Sequence, residues 1–544
     1  MRIVDRPPTP ESDTPELPDD QPVATPSGVT WTDEQHRHIP SAFTPSPHAA
    51  PPPETFQPTT TRRFVQIFAV FLCFFLLART VAVEPFGVPT GSMAPALIGN
   101  HREADCPRCG YLLRVGEPGP DARPVKFEAC RCPICGEVVD LSQAREVPGD
   151  RLMVDKTVYH ARNPRRWEVA VFRCPADLSK PYVKRVVGLP GERMQITGGD
   201  LYANGELLRK TLSQVRETRI LAFDLNTPLP QGWNVRWLME RLNNTAKLPA
   251  LSRRTPDRTV DDTVLSDHVL HLDTLDKPDG LGLTYRNWNL DSREEEPVND
   301  FLGYNGQPPE RRGFGRSFPV PLGDPVHDFS VTFDLDVKAG SGSFACRLSD
   351  GADSVRADFP IGVNSPLPDV QVAQDGGRTP ATGTGHRLEV GKTYRVEFAF
   401  VDRRASLAID GTEVVPALDL PHDPPGRPRR GGMSRPVQLG AKGVSVVVKN
   451  FKLYRDIHYL GVGSATKSWQ LGPKEYFMMG DNTSNSHDSR VWTVNDVPTP
   501  GVPEKDFIGK PFLIHQPMRL TRITVNAREW VVQTPDWARM RWMR

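Results

Sequence analysis

Ser92 sits in the turn-forming segment Pro89-Thr-Gly-Ser-Met-Ala-Pro95, just after the one apolar run of membrane length in the chain. A serine hydroxyl is a poor nucleophile until a neighbouring group takes its proton. The candidate base is Lys184, in Tyr182-Val-Lys-Arg-Val-Val-Gly188-Leu-Pro-Gly-Glu192. A lysine flanked by Val183, Val186 and Val187 loses the hydration that stabilises its ammonium, so its pKa falls. Bringing it from roughly 10.4 to roughly 7–8 takes about 3–5 kcal/mol, and a neutral amine can then accept a proton from Ser92. A third segment, Gly480-Asp-Asn-Thr-Ser-Asn-Ser-His-Asp-Ser-Arg490, is dense in hydroxyls, acids and one arginine, and suits a polar network that positions a base. Taken singly, these are a turn, a solvent-facing strand lysine and a common loop; together, in this order behind one apolar span, they point to a Ser/Lys dyad. A rival relay through His487 and Asp488 is disfavoured, because adjacent residues on extended backbone point to opposite sides.

On those three segments the sequence resembles the bacterial type I signal peptidase (leader peptidase) family, over about 84–104, 148–210 and 470–515. The resemblance implies a β-rich, membrane-anchored serine endopeptidase that cleaves signal peptides from exported preproteins through an acyl-enzyme, with no catalytic cofactor. It implies that Ser92 is the nucleophile and Lys184 the general base. By the same resemblance the Thr90 hydroxyl and the Ser92 backbone N–H form the oxyanion hole, and Ser486 orients the lysine. Asp488 and Arg490 would be the paired charges bracing that loop, with Asp481 as structural support beside them. Met93 would line the site and face the substrate and membrane, and Gly149-Asp150-Arg151 would open the strand beside the substrate groove. The chain departs from the family at Thr483-Ser-Asn-Ser486, in an insertion of roughly 250 residues after the Asn204-Gly205 turn, and in a cysteine-rich insert between Ser92 and Lys184.

That insert carries Cys106-Pro-Arg-Cys109-Gly and Cys132-Pro-Ile-Cys135-Gly, two knuckles separated by 22 residues. The pattern is that of a four-cysteine zinc ribbon, in which a closed tetrathiolate site stabilises and does not catalyse. An oxidising exterior would favour disulfides instead, and Cys130 lies close enough to compete as ligand or bridge partner. Cys73, Cys174 and Cys346 read as structural.

Several elements must position these groups. Residues 1–61 are rich in Pro, Ser, Thr and Asp and read as a disordered cytoplasmic tail. Residues 62–83 read as a transmembrane helix: Arg62-Arg63 flanks the run beginning FVQIFAVFLCFFLLA, which sets the tail inside and everything beyond outside. This would place a single-pass protein in the bacterial inner (cytoplasmic) membrane, with its catalytic domain on the outer, periplasmic side. Residues 84–210 are the first part of a β-rich catalytic body, including the four-cysteine insert at 104–140, and 457–518 are its second part. Between them, 211–320 read as an irregular insertion with a short helix near Val235–Leu242. Residues 321–456 alternate as the strands of a β-sandwich, resembling concanavalin-like jelly rolls. Such a sandwich serves either as scaffold or as a polysaccharide site. The tail 519–544 mixes Arg with Trp530, Trp537 and Trp542, and is either an interfacial amphipathic segment or a surface strand.

The fold expected is therefore mainly β: a signal-peptidase-like body, an inserted sandwich and one N-terminal membrane helix, with the lipid bilayer and signal peptides as partners. A net charge of +1 and no basic stretch interleaved with aromatics exclude a nucleic-acid partner. The alternative from another class is a non-catalytic surface scaffold whose sandwich binds polysaccharide.

Overall fold

The computed structural model describes residues 60–117, 128–227, 236–240, 259–289, 293–306, 323–363, 365–377, 379–422, 432–462, 467–526 and 528–543. The expected disordered tail, apart from its last two residues, lies outside them. The first element is a helix, Thr60–Val81, with Arg62 and Arg63 in its first turn and exposed Phe, Val, Leu and Ile side chains from Phe64 to Leu77. It is the one helix among the described residues long and apolar enough to cross a membrane. It ends two residues earlier than the expected span, and Val83 already belongs to a strand.

Eight strands make the sheet that carries the chemistry: β1 Val83–Gly87, β2 Arg151–Asp155, β3 Val169–Cys174, β4 Asp177–Gly188, β5 Glu475–Met479, β6 Gly501–Pro503, β7 Phe507–Ile514 and β8 Arg541–Trp542. Their order is β1-β2-β7-β3-β4-β5-β6, with β8 also on β7. Every pair is antiparallel. In β4, Lys184 to Gly188 is buried without a break, because β3 and β5 flank the strand and apolar clusters cover both faces. Ala170 is registered opposite Lys184, and Met479 opposite Arg185. A lysine within a central strand is thereby withdrawn from bulk water, and Lys184 is 4 % exposed.

The Asn204-Gly205 hairpin forms as expected, joining Asp200–Ala203 to Glu206–Leu207 in a small sheet with Arg193–Thr197 and Ser468–Gln470. Beyond it the chain enters a 14-stranded network built on two long strands, Phe329–Ser349 and Val437–Arg455. Their register slips between Val337 and Ala339 and again between Gly340 and Ser343. A straight strand would separate Phe333 from Phe344 by about 36 Å. Their ring centroids are 5.9 Å apart, so the bend folds the two halves of the network over one apolar core.

The reading of 211–320 as irregular is corrected. Leu212–Thr218 is a helix with a capping box at Thr211, and Ile220–Asp224, Trp237–Glu240, Val269–Asp273 and Leu281–Tyr285 are strands of the 14-stranded network. The described part of the expected helix near Val235 is the strand Trp237–Glu240, paired with Leu281–Tyr285; a distant partner overrides the local pattern. The C-terminal tail is also a strand structure, a hairpin of Met518–Val525 and Arg528–Pro535 followed by β8.

Candidate active site

Ser92 lies in a tight loop between β1 and the strand His101–Asp105, and it is 8 % exposed. The loop is closed by its own backbone, with Ala94 N–H donating to the Gly91 carbonyl at 3.0 Å and Leu97 N–H to that of Met93 at 2.9 Å. Asp150 secures it from the start of β2: its carboxylate accepts Ile98 N–H at 2.8 Å and the Arg539 guanidinium at 2.6 Å.

Across from this loop, the Lys184 amine and the Ser92 hydroxyl are hydrogen-bonded to each other. Burial lowers the lysine to about 8, although the Asp488 carboxylate opposes the shift. Its nitrogen also lies 5.5 Å from the centre of the Tyr182 ring, on the same face of β4. Arg185 points the other way and is clamped by Asp481, with Nε and Nη2 donating to the two carboxylate oxygens at 2.8 and 2.6 Å. Its remaining nitrogen donates to the Trp167 carbonyl at 2.7 Å. Strand and loop are thus locked one residue away from the amine.

The loop after β5 supplies the rest. Asp488 is fully buried, accepting Gly480 N–H at 3.1 Å and the Arg490 guanidinium at 2.8 and 2.9 Å. Arg490 reaches on to the carbonyls of Thr483 and Leu460, each at 2.8 Å. Gly480 has no room for a side chain: a Cβ there would stand 2.3 Å from both the Ser486 hydroxyl and the Ser92 carbonyl.

The structure does not make every contact the sequence led us to expect. The Ser486 hydroxyl is sealed from solvent and has no hydrogen-bond partner among the described residues, so the expected bond to Lys184 is absent. Thr90 is exposed, two positions before Ser92. Met93 is not a membrane-facing residue: at 1 % exposure it packs with Val88, Leu97, Leu152 and Val154, because the loop turns its one long apolar side chain inward. His487 is occupied elsewhere, its Nδ1 accepting the Trp492 indole N–H at 3.1 Å.

Two residues that sequence reasoning passed over hold the site together. The Asn482 side chain donates to the Gly91 carbonyl at 2.9 Å while its backbone N–H donates to the Ser92 carbonyl at 3.1 Å. The Ser489 hydroxyl accepts Met478 N–H at 2.8 Å, extending β5 into the loop. Both stand inside the polar segment, so density of polar groups was the available signal.

The four cysteines of the two knuckles converge, all sulfurs lying within 4.8 Å of one another. Cys106 and Cys135 are 3.5 Å apart, and Cys109 and Cys132 3.7 Å. A zinc tetrathiolate with bonds of about 2.3 Å has sulfurs about 3.8 Å apart, whereas a disulfide needs about 2.05 Å, so the donor set fits the metal and not the bridge. Cys130 turns away, its thiol donating to the carbonyls of Arg131 and Gly303.

Comparison with protein families matches "Signal peptidase, peptidase S26" over residues 140–271 and 443–515. Signal peptidase I of Rickettsia conorii is 28 % identical over 167 residues, 30 % of this chain and 52 % of that protein. Signal peptidase I of Rickettsia typhi is 28 % identical over 178 residues, 32 % of this chain and 56 % of that protein. The chain thus spans about half the length of the curated relatives it matches. Among solved structures, the carbohydrate binding module CBM66 from Bacillus subtilis aligns at 15 % identity and a TM-score of 0.18, over 23 % of this chain and 74 % of that one, which is too slight a likeness to support any argument. Residues 140–271 and 443–515 are thus similar to the signal peptidases of the S26 family, and most strands of the 14-stranded network lie between the two matched stretches.

Proposed function

We propose that the protein is a membrane-bound type I signal peptidase working through a Ser92/Lys184 dyad. The observation that carries the reading is the hydrogen bond between a nearly buried serine hydroxyl and a lysine amine lowered to about 8 by burial. Neutral Lys184 takes the Ser92 proton as the hydroxyl oxygen attacks the scissile carbonyl, and the protonated amine then donates to the leaving nitrogen. Water, activated by the same amine, releases the acyl group. The Ser92 N–H and the Thr90 hydroxyl receive the developing oxyanion. Ser486, whose hydroxyl is buried with no partner among the described residues, serves the lysine amine once Ser92 has given up its bond to it. Asp481, Asp488 and Arg490 act only through the loop they brace.

The substrate is a signal peptide that adds as a strand to β1, the end strand of the sheet among the described residues, which runs directly into the Ser92 loop. The helix Thr60–Val81 crosses the inner membrane with Arg62 and Arg63 on the cytoplasmic side and delivers the body to the periplasmic side. The cysteine tetrad holds one structural zinc, and the catalytic step needs no cofactor.

Incubation of the purified protein with a preprotein in detergent tests the reading. Wild type is expected to cleave after the signal peptide, and Ser92→Ala and Lys184→Ala each to abolish cleavage while melting cooperatively. Near-normal cleavage by either variant rules out the dyad. A folded wild type that leaves every preprotein intact favours the scaffold reading, in which the insertion binds polysaccharide.

A further inference from the structure

The insertion is far from the dyad in sequence, yet one of its turns touches the nucleophile loop. Gly303–Asn305 forms a single 3-10 turn. Tyr304 is 6 % exposed, and its ring fills the space that side chains at Gly91 and Gly116 would occupy: a Cβ at either would fall 1.8 or 2.2 Å from the ring. Its hydroxyl donates to the Asn100 carbonyl at 3.0 Å, at the far end of the same loop. Asn305 pairs reciprocally with Asn482: each side-chain amide donates to the other's carbonyl oxygen, at 2.8 and 2.6 Å. Asn305 also donates to the Ser484 hydroxyl at 2.9 Å. The turn itself rests on the second cysteine knuckle, through Cys130, which donates to the Gly303 carbonyl, and through the Pro133 ring, 3.3 Å from where a Gly303 Cβ would stand.

Asn482 is the link that gives these contacts a consequence. Its amide nitrogen bonds both the Gly91 carbonyl and Asn305 Oδ1. A peptide unit is planar and trans, so its C=O and N–H point in opposite directions. Fixing the Gly91 carbonyl therefore fixes the direction of the Ser92 N–H. An oxyanion donor is useful only if it is already aimed when charge develops.

We propose that Asn305 and Tyr304 of the insertion are positioning residues for the Gly91–Ser92 peptide, Asn305 acting through Asn482 and Tyr304 by filling the slot behind Gly91. The large insertion is then a working part of the active site, reaching it through one turn. The proposal rests on the serine-protease reading above, and loss of cleavage in Ser92→Ala establishes that reading separately.

The test is a double-mutant cycle on preprotein cleavage. Asn305→Ala is expected to lower kcat by about 10- to 100-fold, as misplaced catalytic groups do, with KM within about twofold and the pH at half-maximal rate unchanged. Asn482→Ala should be at least as damaging, and Asn305→Ala added to it should cost little more, because the first residue acts through the second. Tyr304→Phe keeps the ring and should lose less than about threefold, whereas Tyr304→Ala should lose as much as Asn305→Ala. If Asn305→Ala does not fold, Asn305→Ser is read by the same split. A folded Asn305 variant with wild-type kcat, or losses from Asn305 and Asn482 that multiply, overturns the proposal.

Discussion

Lys184 is held where its charge is least welcome. Its amine titrates near 8 in the fold against 10.5 for an unburied lysine, so between those values the unfolded chain holds more protons than the folded one. Stability therefore rises with pH across that window, and at neutral pH, below both values, burial costs the full difference of about 3 kcal/mol. Lys184→Met is expected to be inactive yet to resist denaturant better than wild type at pH 7, by about 1–3 kcal/mol once the lost bond to Ser92 is counted, with the gap closing toward pH 10.5. A Lys184→Met variant that is less stable at pH 7 would mean that Asp488 and Ser92 compensate the charge in full. The cleavage rate of wild type should climb with pH to a plateau above about 8, since only the neutral amine accepts a proton. Lys184, Ser92, Asp488 and Arg490 are legible in the sequence because each sits in a short segment whose composition has a chemical reason. Asn305 is not: its turn has no periodicity, and its partner Asn482 is 177 positions away. Met93 misleads because an apolar residue beside a nucleophile is as consistent with a core as with a substrate face.

At the scale of elements, short apolar-rich strands bounded by polar or turn residues are legible in the sequence itself, among them Arg151–Asp155, Thr393–Val401 and Arg404–Ile409. Those that are not, such as Trp237–Glu240, are short and owe their conformation to partners distant in sequence. The cysteine knuckles are the clearest case of an element specified locally. Each thiolate pair is set by a tight turn, with Gly110 N–H donating to the Cys106 carbonyl and Gly136 N–H to that of Cys132, both at 2.9 Å. The arrangement predicts one zinc per chain by native mass measurement, with the four thiols protected from alkylation until a chelator is added. Cys109→Ser should lose the metal and melt several degrees lower, because the knuckles share a core with the insertion. Protein purified without zinc, with all four thiols freely alkylated and the melting temperature unchanged by added metal, would remove the metal from the fold.

At the scale of the molecule, the question is whether the insertion is a passenger. Its two ends are adjacent, since the buried Lys210 ammonium bonds Asp456 at 2.7 Å and Asp402 at 3.0 Å, so excision with a short linker is geometrically open. Yet the body does not close behind it. Leu113, Val115, Ile134 and Val139 of the cysteine insert, with Leu141 just beyond it, lie in the same apolar cluster as Phe223, Trp237, Tyr285 and Phe451 of the insertion. Arg236 ties the two further, donating to the Ile134 carbonyl at 2.7 Å. Uncovering each of those aliphatic side chains costs about 1.5–3 kcal/mol, in combination comparable to the whole stability of an ordinary domain. Sequence alone leads to a cysteine insert and a large insertion as separate segments but not to their common core, because a shared core is a property of pairing across the chain and leaves no local pattern. A chain with residues 211–456 replaced by a short linker is therefore expected to aggregate, or to fold without cleaving preprotein, even though Ser92, Lys184, Asp488 and Arg490 all remain. Cleavage by the shortened chain at the wild-type rate would make the insertion a removable accessory and would take the Tyr304 and Asn305 contacts out of the mechanism with it.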